Sequence, residues 1–161
     1  TVLFAVNEKG EPIPAKLVAK MNAARHFGEA VSVASQVFYA NLALNYYSTD
    51  PDTFQLLPML KTLQAQYAPF PYVEGTHFYN NFRHLNGYSS NYYTYQWSQA
   101  LSMDMFSRFQ RNGLRDTATA HAYREKVLAA AGSKPAAQMV EDFLGRPFSP
   151  ATYTQYLKQL N

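Results

Sequence analysis

Apolar positions recur along this chain in 3.6-residue stripes separated by short polar breaks, a pattern that predicts helices almost throughout. Leu17, Val18, Met21 and Ala24 form a first stripe that follows the turn GEPIP (10–14) and reaches Phe27. Pro14 suits the first turn of that helix and Gly28 breaks it. Residues 29–47 are apolar nearly all round, which predicts a buried helix at the structural centre. The segment STDPD (48–52) stops that helix and offers caps for a new one. Phe54, Leu57, Leu60, Leu63 and Tyr67 mark the next helix, in which Pro58 demands a kink or a later start. Residues 68–78, rich in proline and aromatics, predict a packed loop. A second long helix is expected over 89–112, closed by Asn112-Gly113. A helix over 117–131 ends at Gly132, and Ser133 caps another that holds Pro135 early and Phe143 and Leu144 before Gly145. Ser149-Pro150 opens the last helix, with Tyr153, Tyr156, Leu157 and Leu160. No strand pair and no internal repeat emerges. The expected class is all-α, with every connection short except 68–78.

Composition adds one constraint. Hydrophobic residues are 47% of the 161 and charged residues only 16%, against about 25% charged in an ordinary soluble domain. Either the domain is compact and aromatic-rich, or much of its surface is covered by something else; the second is the reading favoured here. The 14 Lys and Arg are scattered, with no run of three, behind a net charge of +3. A nucleic-acid interface normally shows a clustered basic stripe, so no nucleic-acid partner is expected. With no Cys there is no disulfide or thiolate chemistry. The apolar stretch 30–47 is interrupted by Ser32, Ser35, Gln36, Asn41 and Asn45, which disfavours a membrane span. The opening TVLFAVNEKGEP has neither an initiator Met nor a signal pattern and reads like the interior of a longer protein.

Candidate chemistry concentrates in HLNGYSSNYYTYQWS, residues 84–98. A histidine leads into a short Gly-containing loop, followed by tyrosines at 88, 92, 93 and 95 and the sole tryptophan, Trp97. On one continuous helix Tyr88, Tyr92 and Tyr95 would share a face, within about 60° of each other. That face continues as Gln99, Ser102 and Phe106, opposite Tyr93, Trp97, Ala100, Leu101 and Asp104. Two readings stand side by side. The phenols tie core helices together by hydrogen bonds, or they form a row of neutral O–H donors aimed at a carbonyl. Of the histidines, His26 and His121 read as surface or capping residues, His77 as structural or part of a cleft, and His84 as a companion of the tyrosines. None stands in HExxH, so no metal site made by this chain alone is expected. Asp104 and Arg108, at i and i+4, predict an ion pair on one helix.

FRHLNGYSSNYYTYQWSQALSMDMF (82–106) resembles the C-terminal signature of the thimet oligopeptidase family, the M3 zinc metallopeptidases. GEPIP and its helix (10–27) resemble the segment after that family's zinc site, and YREKVLAAAGSKPAAQMVEDFLGRPFSPATY (123–153) resembles its closing stretch. The resemblance implies that residues 1–161 are the C-terminal helical part of a zincin-type catalytic domain whose HExxH-bearing part is absent. It implies zinc in the full-length parent, with ligands outside this chain, and short peptides as substrates. It further implies Tyr88 and Tyr95 as catalytic donors to the scissile carbonyl oxygen. His84 and Tyr92 would contact the substrate backbone, and Gly87 would give the loop mobility. The loop from His84 to Tyr88 has a single Gly where many relatives carry more, and AAGS (130–133) lacks a second one. Expected partners are the missing upstream part of the same domain and a second copy of the chain by self-association, without membrane insertion. The alternative is a helical module that holds a peptide in its aromatic cleft without cutting it, and a third reading is a purely structural helical domain.

Overall fold

The computed structural model describes residues 6–160. Eight α-helices follow one another, α1 (Ala15–Arg25), α2 (Glu29–Ser48), α3 (Leu56–Tyr67), α4 (His84–Tyr88), α5 (Thr94–Asn112), α6 (Thr117–Tyr123), α7 (Ala136–Leu144) and α8 (Ala151–Lys158). Short 3-10 turns at Phe78–Asn80, Ser89–Tyr93 and Ala131–Ser133, and a π turn at Arg124–Leu128, fill the connections. Among the described residues the extended structure is a single bridge between Val6 and Pro12. The chain is all-α. No helix among them is long and apolar enough to cross a membrane.

The residues explain the boundaries. Gly28 adopts the left-handed backbone (φ 73°) that separates α1 from α2, and Gly145 (φ 72°) does the same after α7. Pro58 falls in the first turn of α3, where its missing N–H breaks no intrahelical bond, so the later start is realised and no kink is needed. Asp50 caps a turn rather than α3, its carboxylate accepting from the Asp52 N–H. Asp116 caps α6 by accepting from the Thr119 N–H at 2.7 Å.

Three expectations fail here. The helix over 117–131 is α6 followed by a π turn, because the Ala129 N–H bonds back to Arg124 O. Ser133 does not cap α7; its hydroxyl donates to Ala130 O, and α7 starts after Pro135. The Asp104–Arg108 pair is absent. Asp104 faces inward, where Arg146 and the Ser149 N–H reach it, while Arg108 turns to α7, donating to Phe143 O and lying over the Phe143 ring.

Two packing centres result. The first joins Phe38, Leu42, Ala43 and Tyr46 of α2 with Leu60 and Leu63 of α3, Phe82 and Tyr92. The 68–78 loop is packed as expected on this centre: Tyr72 and Phe78 pack against it, and Lys61 spans from the Tyr72 ring to Glu74. The second lies between α5, α6 and α7, where Phe143 is fully buried against Phe109 and Tyr123. Asp104 anchors α5 to the α7–α8 connection, accepting two hydrogen bonds from Arg146 (2.6 and 2.9 Å) and one from Ser149. The Tyr156 hydroxyl of α8 donates to Glu29 at the start of α2, and that of Tyr153 donates to Gln96. By contrast, α1 has no buried residue, and Leu17, Met21 and Phe27 (94%) are exposed.

Candidate functional site

The candidate site is built where the first centre meets the start of α5. Leu85 packs against the core and seats α4 on it. The segment from His84 to Tyr88, expected as a loop, is thus a helical turn, supported at its start by the Leu85 N–H to Phe82 O and Asn86 N–H to Arg83 O bonds. Ser89 then takes φ 50° and ψ −121°, a conformation that ends α4 and costs a non-glycine residue about 1–3 kcal/mol. The expected single helix over 89–112 is therefore broken into a 3-10 turn and α5.

The break does not scatter the rings. His84 lies 5.7 Å from Tyr88, 5.1 Å from Tyr92 and 5.9 Å from Tyr95, ring centre to ring centre. Tyr95 lies 5.5 Å from Tyr88 and 5.0 Å from Tyr92. Each such pair adds about 0.5–1.5 kcal/mol beyond its buried area. Within the cluster the members differ. His84 is exposed, as are Tyr88 (42%) and Tyr95 (40%), whereas Tyr92 (6%) lies beneath them. Tyr92 sits on Phe82 at 5.1 Å and meets Tyr39 edge-on at 5.8 Å, and its hydroxyl donates to Gln36 Oε1 at 3.0 Å. Gly87 lies inside α4, and a Cβ there would meet nothing within 4 Å.

The phenols of Tyr92 and Tyr95 are held in their neutral form. The Tyr88 hydroxyl beside Tyr95, and then burial, push the Tyr95 phenol above its ordinary 10. Burial does the same for Tyr92. Tyr95 therefore keeps its O–H at neutral pH, the state in which a phenol can donate. Among the described residues no group of three or more His, Asp or Glu could hold a metal ion; the resemblance places the zinc ligands outside this chain.

Three contributors escaped the sequence reading: Gln36 and Tyr39 on α2, and Phe82. Gln36 carries only a diluted signal, as one of five polar residues that interrupt an apolar helix. Trp97 stands apart from the cluster and packs on Phe148 at 5.3 Å. His77 pairs with Tyr79, and His26 with Glu29.

The profile of peptidase family M3 matches residues 2–159. The chain is 28% identical over 143 residues to oligopeptidase A of Haemophilus influenzae, covering 86% of this chain and 21% of that protein. It is 30% identical over 138 residues to the mitochondrial intermediate peptidase of Arabidopsis thaliana, covering 85% of this chain and 20% of that protein. Oligopeptidase A of Escherichia coli is 29% identical over 143 residues, 86% of this chain and 21% of that protein. The chain spans about a fifth of the length of these curated relatives.

Proposed function

The chain belongs to peptidase family M3, and from that premise we propose that it is the C-terminal helical part of a catalytic domain that hydrolyses short peptides. Tyr88 and Tyr95 supply the O–H donors that meet the scissile carbonyl oxygen as it takes on negative charge. His84 flanks them and contacts the peptide backbone, and the open flank at Gly87 leaves room for the peptide beside Tyr88. The observation that carries this reading is the arrangement of His84, Tyr88 and Tyr95 on the solvent side of one ring cluster. A purely structural role would bury and satisfy all three phenols; only Tyr92 meets that description.

No metal step is assigned to this chain; zinc and the activation of water belong to residues outside it. The chain's own contribution is to orient and stabilise. In keeping with that, it exposes 11418 Å², where a compact monomer of its mass exposes about 8,000 Å². The excess, with the bare apolar stripe of α1, supports docking against the preceding part of the same catalytic domain.

The test is Tyr95→Phe in the full-length enzyme with a fluorogenic short peptide. We expect kcat to fall roughly 10²–10³-fold, the loss from removing one oxyanion donor, with KM nearly unchanged. The isolated chain should cleave nothing. A Phe variant with normal kcat sinks the donor role, and a full-length protein that binds peptide without cutting it leaves the binding-module reading in its place.

A further inference from the structure

Tyr92 is fixed at several points. Its hydroxyl is bonded to Gln36, 56 residues away on α2, and its ring rests on Phe82 and against Tyr39. His84 and Tyr95 lie against that same ring, at 5.1 and 5.0 Å and at angles of 84° and 59°. A tyrosine bonded at its tip cannot change rotamer without breaking that bond, and a ring so fixed dictates where its aromatic neighbours lie. Gln36 is half-buried on a helix whose Phe38, Leu42 and Tyr46 form the first packing centre, so its own position is set by the core.

We propose that Gln36 is a positioning residue for the site. It locks Tyr92 as a pedestal, and the pedestal sets the orientation of Tyr95 and His84. Tyr92 on this account acts from beneath the peptide, not as a contact to it. The kinetic consequence rests on the peptidase reading; the orienting role does not. Gln36 serves because its amide oxygen accepts the phenol proton without bringing a charge under the cluster. Methionine at this position has similar volume and no comparable acceptor, so it removes the lock and keeps the packing.

The experiment has two arms. In the full-length enzyme, with labelled tyrosine and histidine rings, NMR of Gln36→Met should displace the ring resonances of Tyr95 and His84, and Tyr92→Phe should displace the same signals. In the full-length enzyme each substitution should lower kcat about ten- to a hundred-fold while KM moves little, as expected of a misplaced donor. The double variant should be no worse than either single one, because both remove one bond. If Gln36→Met does not fold, Tyr92→Phe, which deletes only the hydroxyl, reads the same bond from its other end. Unchanged Tyr95 and His84 resonances in the folded variants, or a double variant showing the product of the two losses, would overturn the assignment. A wild-type enzyme that cleaves no peptide would defeat the peptidase reading alone, since the resonance arm decides Gln36 without turnover.

Discussion

Replacing Arg146 by Met tests the ion pair that holds α5. The carboxylate of Asp104 is fully buried and accepts from both terminal nitrogens of Arg146 and from the Ser149 N–H. Removing the arginine leaves a buried charge with one remaining partner. Breaking a fully buried pair costs about 3–5 kcal/mol. Arg146 is 39% exposed, so water reaches the vacated side and the expected loss is about 3 kcal/mol. For a chain of this size that lowers Tm by roughly 6–12 °C. Asp104→Leu combined with Arg146→Met removes both charges and should return to within about 1 kcal/mol of the wild type. The pH dependence carries a sign. Burial pushes the Asp104 carboxyl up, but the hydrogen bonds from Arg146 and Ser149 outweigh it and hold it below the usual 3.8. A carboxyl lowered on folding stabilises above its unfolded pKa, and this stabilisation drains away as pH falls through the lowered folded value. Wild type should therefore lose stability below about pH 4 more steeply than the double variant. Asp116 and Asp142 are also lowered, by Thr119 and by Lys134. Both remain in every variant, so the difference isolates Asp104. Urea denaturation read by circular dichroism between pH 2 and 7 measures these quantities. A cost below about 1 kcal/mol for Arg146→Met, or identical acid limbs, would refute the reasoning.

Ser89→Gly should raise stability by about 1 kcal/mol, because glycine adopts φ 50° and ψ −121° freely; no gain in a urea titration would show that the serine backbone is unstrained. In sedimentation the isolated chain should associate in proportion to concentration, and Leu17→Lys with Met21→Lys should weaken that association. A strictly monomeric wild type at high concentration would remove the argument that its apolar face needs a cover.

Helix existence was legible through spacing, as in the stripe Leu57, Leu60 and Leu63, while the stripe Leu17 and Met21 forms its helix without being buried. Breaks were legible where one residue type is demanded, as at Gly28 and Gly145, whose left-handed backbone suits glycine. What stayed hidden depends on partners distant in sequence. Asp104 looked paired with Arg108 because four residues is the spacing a helix allows, yet its partner stands 42 residues away. The break at Ser89 carried no signal, since serine has no special liking for that backbone and the surrounding fold imposes it. The candidate site residues are singled out by the motif they form, and their proximity is realised in the structure. The difference in depth between Tyr92 and its neighbours was not legible, because burial of a tyrosine ring is decided by α2, a helix more than 40 residues upstream.

The two packing centres give the ring cluster a property that neither would confer alone. His84 and Tyr88 ride on the centre formed by α2 and α3, whereas Tyr95 opens the helix that Asp104 moors to the other. A molecule that touches Tyr88 and Tyr95 together bridges the seam, so its binding energy is also adhesion between the halves. Occupancy would then add adhesion between the two centres, and calorimetry would register a ligand as a later melting peak.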